Sequence, residues 1–308
     1  SSSDFLLRSG TVSGILAGTG GIAKTTSGTV VLSASNTFSG AVSVANGKLQ
    51  FSADANLGDG SATNTVTVNG GTLRVSTNDE CISNSSDIVV GASGTFDVNS
   101  RTETVASISG SGAITLGSGT LTAGGDNSST VYTGAISGTG GLTKTGSGML
   151  TLEQDLTFTG ALTISAGTVR LGTGGATGSV ASTSIVNNGT LNINRSVLYS
   201  YSGVISGYGG VTISGSGGLS LTGNNTFTGA VTVDAGSNLT IDRSSCDSDA
   251  DRTIRFGDIV NNATITFDLT PASGTLTCTY PSVMSGTGEI VKTGTGTLVL
   301  TNSNTFTG

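Results

Sequence analysis

The strongest constraint on this chain is a phrase that it repeats. Gly-x-Gly is followed by a short apolar stretch, a second Gly-x-Gly, alternating apolar residues, and then Asn-Thr-Phe-Thr-Gly leading into a strand. It begins at Gly18 (GTGGIAKTTSGTVVLSASNTFSGAVSV) and returns at Gly138 (GTGGLTKTGSGMLTLEQDLTFTGALTI), Gly207 (GYGGVTISGSGGLSLTGNNTFTGAVTV) and Gly286 (GTGEIVKTGTGTLVLTNSNTFTG). A more divergent copy starts at Gly110, with Tyr132 where the others place phenylalanine. Between the copies runs a second phrase, two alternating apolar residues, a Gly or Asn turn, and two more. Examples are Val66, Val68 with Leu73, Val75, and Ile88, Val90 with Phe96, Val98. Leu162, Ile164 with Val169, Leu171, and Val231, Val233 with Leu239, Ile241, follow the same pattern. Period-two alternation puts one set of side chains inside and the Ser/Thr set outside.

Many short one-sided strands cannot bury their apolar faces alone, but stacked coils can. The competing architecture is a β-sandwich of hairpins. Hairpins favour two-residue Asn-Gly or Asp-Gly turns between longer strands. Asn46-Gly47, Asn69-Gly70 and Asp59-Gly60 have that form, yet the strands are very short and the register recurs. The sequence therefore predicts an all-β, right-handed parallel β-helix, a solenoid with residues 1–308 as a single domain and one continuous rod. At about 20–25 residues per coil it would make roughly 13 coils, spaced about 4.8 Å apart.

Composition narrows the function classes. The chain holds 50 glycines and 2 prolines, no histidine and no tryptophan, and 10% of its residues are charged. With 35% apolar residues it is not the low-hydrophobicity, high-charge composition of a disordered chain. A net charge of −7 opposes sequence-independent nucleic-acid binding, which needs clustered Lys and Arg. No run of about 18 apolar residues exists to span a membrane as a helix. Without histidine, Ser-His and Cys-His nucleophile arrangements are excluded, and the carboxylates scatter into loops instead of pairing across a strand face. The expectation is a protein that is not an enzyme and takes no cofactor.

The run GTGGLTKTGSGMLTL followed by TFTGALTISAGTVRL, Gly138 to Leu171, resembles the passenger-associated β-strand repeat of bacterial autotransporters. The resemblance covers four good copies and one weaker copy. It implies a right-handed parallel β-helix outside a Gram-negative cell, secreted across the outer membrane, with the repeat as scaffold. The chain shows no signal sequence and ends at Gly308, in the middle of a unit whose next strand should resemble Ala230-Val231-Thr232-Val233. It is therefore expected to be a segment of a longer protein.

Several residues invite a functional reading and are weighed against a structural one. Phe38, Phe158, Phe227 and Phe306, with Tyr132, sit in equivalent turns and read as a core stack, not a ligand platform. Asn36, Asn225 and Asn304 precede them and read as turn-holding residues bonded to backbone, or as a ladder from coil to coil. Lys24, Lys144 and Lys292 share a repeat position that Ile213 and Leu116 occupy elsewhere. This favours a coil edge where the stem packs and the amine reaches water. The densest charge is Asp242 to Arg252. Asp247, Asp249 and Asp251 alternate as at the start of a calcium loop, but Arg252 stands where glycine is expected and Asp258 where glutamate would close it. A solvated insertion over residues 242–258 is the better reading, and as a protruding loop it is the candidate partner contact. Cys278 shares inward parity with Leu276 and Tyr280, and a Cys246–Cys278 disulfide is one expectation. Cys81 is expected to be unpaired or intermolecular.

These features lead to a surface stalk or fibre, with an adhesin for glycans or a host protein as the alternative and a polysaccharide-active enzyme third. Open strands at the ends of a β-helix invite pairing, so end-to-end association with another copy is a further expectation.

Overall fold

The computed structural model describes residues 3–52, 57–59, 65–75, 79–247, 253–272 and 274–308. Strands of two to five residues alternate with turns, and the one helix among the described residues is the four-residue turn Ser244–Asp247. The strands stack in parallel as a β-solenoid of about 14 turns. The chain divides into two compact units, Ser1–Leu162 and Thr163–Gly308.

In the first unit one ladder runs through Phe5–Leu7, Ile22–Lys24, Val42–Val44, Val66–Val68, Asp87–Val90, Ser107–Gly110, Thr130–Tyr132 and Met149–Leu152. A second runs through Gly10–Val12, Thr29–Leu32, Lys48–Phe51, Thr72–Arg74, Thr95–Asp97, Ala113–Thr115 and Ala135–Ser137. A third starts only at Thr102–Val105 and continues through Thr120–Ala123 and Gly141–Lys144. In the second unit a ladder passes through Thr168–Leu171, Thr190–Ile193, Gly210–Ile213, Val231–Val233, Ile259–Asn261 and Met284–Ser285. Another starts at Tyr199–Tyr201 and continues through Leu219–Leu221, Asn238–Asp242, Thr264–Asp268 and Glu289–Thr293.

Register keeps like on like. Val30, Leu49, Leu73, Phe96, Ile114 and Ile136 follow one another directly from coil to coil. Every apolar residue of the alternating phrase is inside, none more than 1% exposed. Each such side chain contributes about 1.5–3 kcal/mol of burial. The Ser and Thr between them face outward, so the strands present hydroxyl rows on one side and a continuous apolar column on the other.

The five glycines that open the repeat copies all adopt positive φ: Gly18, Gly110, Gly138, Gly207 and Gly286, at 104°, 109°, 124°, 100° and 103°. Each accepts, on its carbonyl, the N–H of the residue after the aromatic of the next coil. These donors are Ser39, Thr133, Thr159, Thr228 and Thr307, at 2.8–3.0 Å. Gly18 is in register with Phe38 and Gly110 with Tyr132. One repeat thus wraps one full turn, and its aromatic closes over the glycine that opened it. Four of the five aromatics are fully buried and Phe306 is half-buried.

Candidate functional site

The repeat corner is held by asparagine. Asn36 Oδ1 accepts the Leu16 N–H at 2.9 Å, Asn225 accepts that of Ile205 at 2.9 Å, and Asn304 that of Met284 at 2.8 Å. Each Nδ2 donates to a carbonyl two residues back, Ala34, Gly223 or Asn302. One amide therefore ties its own turn to the coil twenty residues earlier. These residues do not bond to one another as a ladder. In the copy from Gly138, Leu156 takes the asparagine position and is 2% exposed. The aromatics pack as core: Phe5 meets Phe38 edge-on at 6.4 Å, and Phe227 stacks on Phe256 at 4.5 Å.

Two expectations need correction. Lys24 and Lys144 do not send their amines to water. Both occupy inward positions on their strands and are at most 1% exposed. Lys24 Nζ donates to Thr26 O and to Asn46 O, and Lys144 Nζ to Thr145 O and Gly146 O. The long stem fills an inward site as Ile213 does, while the ammonium caps turn carbonyls that would otherwise lack donors. Burial lowers both amines' pKa. Lys292 alone is exposed, bonded to Thr293 O and Gly294 O.

Nor is the segment 242–258 a solvated loop along its length. Ser245 and Cys246 are buried, and Ile254 and Phe256 enter the core, Phe256 extending the aromatic stack. Cys246 and Cys278 form a disulfide with Cα atoms 5.8 Å apart, fastening the short helix to the strand Thr277–Tyr280. The calcium reading falls on Asp249 and Asp251, which lie outside the described residues, and on Asp247 beside them. Among the described residues no group of three acidic, Cys or His ligands could hold a metal. Cys81 is buried, 2% exposed, and does not present its thiol to another chain.

The structure adds polar groups that the repeat did not announce. Glu103 is inward and fully buried, accepting the N–H groups of Cys81 at 3.0 Å and Ile82 at 2.9 Å. Desolvation pushes its pKa up to about 8, with the neighbouring charges of Glu80 and Asp79 adding to the shift and the two N–H bonds opposing it. Around it Asp79 accepts from Thr102 N, and Glu80 from Thr104 N and Oγ1. Its signal in the sequence was a charged residue at inward parity on Thr102–Val105. In the second unit, Tyr199 and Tyr201 occupy the inward positions of one strand, their rings 6.0 Å apart. Tyr201, but not Tyr199, is among the residues 180–183 and 200–204 that line a surface cleft of about 270 Å³.

Comparison with known proteins agrees with this architecture. A family model described as the passenger-associated-transport-repeat matches residues 22–51, 142–171, 211–237 and 290–308, which begin four residues after the opening glycines and contain the closing Phe38, Phe158, Phe227 and Phe306. The chain carries the repeat of the autotransporter passenger family. It is 34% identical over 204 residues, 66% of this chain, to the adhesin BmaC autotransporter of Brucella suis biovar 1 (strain 1330). The chain spans 5% of that protein's length. No solved structure matches it. An autotransporter passenger is an extracellular, cell-surface protein secreted across the outer membrane. No helix among the described residues is long and apolar enough to cross a membrane.

Proposed function

We propose that this passenger segment serves as a structural stalk, setting the distance between the cell surface and whatever the whole protein presents. The observation that carries this is the closure of each repeat over its own first glycine: one copy adds one turn, and adding copies adds length without new chemistry. Coils in parallel register advance by about 4.8 Å each. The passenger repeat and the adhesin relative support a role other than enzymatic turnover, and we read residues 1–308 as a single stalk domain.

Electron microscopy of the native protein on cells tests the reading. A duplication of 138–157, one complete turn from repeat glycine to the residue before its aromatic, should lengthen the projection by about 5 Å per inserted copy. Ten copies make the change measurable, and an unchanged projection would sink the stalk reading. The same images decide between association end to end with a second copy and single projections.

An adhesin role for the whole protein is the second reading, favoured by the relative's description as an adhesin. A host protein or a surface glycan would then be the partner. Residues 254 and 256 belong to the core, so a test by deletion must stay within 248–252.

A further inference from the structure

The chain contains three Asn-Gly pairs, Asn46-Gly47, Asn69-Gly70 and Asn188-Gly189, each in a turn between two strands. They differ in where the asparagine side chain goes. Asn69 Oδ1 lies against the following coil, 2.9 Å from a Cβ built on Gly91, and the Gly70 N–H donates to Val44 O at 3.4 Å. Asn188 Oδ1 accepts the Tyr208 N–H, also from the following coil, at 3.4 Å. Asn46 turns back on its own chain instead: the Gly47 N–H donates to Asn46 Oδ1 at 2.8 Å. Asn46 is exposed, so water reaches it.

The preceding coil distinguishes the three pairs as well. The carbonyls of Lys24, Val44 and Ile164 accept the N–H groups of Asn46, Asn69 and Asn188, so the same place carries a cation only beside Asn46. Lys24 Nζ donates to Asn46 O at 3.2 Å, on the peptide bond whose nitrogen is Gly47 N. When that nitrogen loses its proton, negative charge spreads onto Asn46 O, where the fixed donor stabilises it. Packing also imposes the glycine. Gly47 takes a φ of +67°, and a Cβ there would lie 2.4 Å from Thr26 O and Gly28 O and 2.7 Å from Lys24 Nζ. The corner therefore demands the one residue that leaves its nitrogen unhindered. Asn302 makes the same bond with the Ser303 N–H at 2.8 Å, but its carbonyl accepts from the neutral Asn304 Nδ2 and serine crowds the nitrogen.

We propose that Asn46 is a self-modification site, where Gly47 N attacks the Asn46 side-chain amide and water then opens the ring to an isoaspartyl linkage. Loss of the Gly47 proton leaves a lone pair directed at the side chain already held beside it, which removes much of the cost of reaching a reactive geometry. The bond from Gly47 N to Asn46 Cγ forms, the Cγ–Nδ2 bond breaks, and the proton leaves with Nδ2 as ammonia. Water then adds to Asn46 C, the carbonyl that Lys24 polarises, and the bond from that carbon to Gly47 N breaks as the nitrogen regains a proton. The backbone now runs through Cγ, one methylene longer, in the corner between Val42–Val44 and Lys48–Phe51. The former main-chain carbonyl becomes a carboxylate beside the Lys24 ammonium, a pair that Val44 and Ile164 cannot supply at the other two corners. The inference rests on this corner alone and is independent of the stalk reading.

Peptide mapping by mass spectrometry tests it, on the full chain kept folded at neutral pH and on a parallel sample unfolded in guanidinium chloride. The mass gain from amide to acid locates each conversion, and electron-transfer fragmentation separates isoaspartyl from aspartyl product. In the folded chain Asn46 should convert at least about tenfold faster than Asn69 or Asn188, whereas unfolding should bring the three rates together. Its isoaspartyl share should be larger folded than unfolded. Lys24→Met keeps the apolar stem and removes the donor; it should slow Asn46 about tenfold and return the isoaspartyl share to the unfolded value. Equal rates at the three asparagines of the folded chain would overturn the proposal. So would an isoaspartyl share that folding leaves unchanged, or a folded Lys24→Met chain that converts as fast as the parent. The comparison of folded with unfolded parent needs no variant, so it decides the matter even where Lys24→Met fails to fold.

Discussion

Thr102–Val105 in the first unit and Tyr199–Tyr201 in the second stand in the same situation. Each is the first strand of a ladder, with a following coil to pair with and, among the described residues, no strand on its other side. The chain meets that gap with different chemistry. In the first unit carboxylates stand in for the missing strand, Asp79 and Glu80 reaching one way and Glu103 the other. In the second unit phenols do so, and only one of the two is satisfied. Regular corners tie coil to coil through the repeat's own asparagine and opening glycine. Where a ladder begins, the same duty falls on polar side chains, and there the scaffold acquires a titrating group in one unit and a buried hydroxyl without a partner in the other.

The largest expected effect that separates the two starts is pH dependence. Folding moves the Glu103 carboxyl from the ordinary 4.5 to about 8. Between those values the folded chain holds a proton that the unfolded chain has released. The favourable contribution of neutral Glu103 is thus complete below about 4.5 and is lost as pH rises through about 8. The slope approaches ~1.4 kcal/mol per pH unit within that window. Hydrogen exchange at the Cys81 and Ile82 amides should accelerate beyond its intrinsic pH dependence across it. Glu103→Gln should remove the excess, and the second unit should show none at Tyr199–Tyr201. A wild-type profile that follows intrinsic exchange would refute the buried-acid account.

The next effect contrasts regular corners with each other. Gly207 and Gly18 share a backbone conformation, but a Cβ on Gly207 would lie 2.2 Å from Asn187 O, whereas one on Gly18 meets nothing within 4 Å. Gly18→Ala should cost only the backbone strain, about 1 kcal/mol, and Gly207→Ala about 3 kcal/mol or more. Chemical denaturation followed separately in the two units measures both. Equal losses would mean that close approach of the coils is not what selects glycine. Asn225→Ala follows at about 1–3 kcal/mol, because it leaves the buried Ile205 N–H without a partner, while the Gly223 carbonyl keeps the backbone N–H of residue 225. Asn304→Ala, at a half-buried corner, should cost under about 1 kcal/mol.

Much of the regular part was legible in the sequence. The distance from repeat glycine to aromatic is the coil length, the alternating phrase names the inward residues, and the Asn before Thr-Phe marks the corner. The ladder starts were not legible in the same way. A ladder begins where an earlier stretch fails to form a strand, and that is a property of two segments about twenty residues apart, not of either alone. Parity on Thr102–Val105 does place Glu103 inside, and parity on Ile22–Lys24 places Lys24 inside. Treating charge as a sign of the surface hid both. Ile254 and Phe256 were hidden similarly, by the acidic run that precedes them.

The smallest expected effect is the one that discriminates best within a single strand. Tyr199 and Tyr201 have the same parity, both are buried, and they differ in whether the hydroxyl is used. Tyr199→Phe removes the groups that satisfy both the N–H and the C=O of Val180, and should cost about 1–2 kcal/mol. Tyr201→Phe removes a hydroxyl whose burial is uncompensated, and should be neutral or stabilising by a fraction of that amount. The double variant should equal the sum of the two, because the hydroxyls share no partner. If instead Tyr201→Phe costs as much as Tyr199→Phe, both phenols brace the ladder start, and the difference between the acidic and the phenolic start reduces to one of charge.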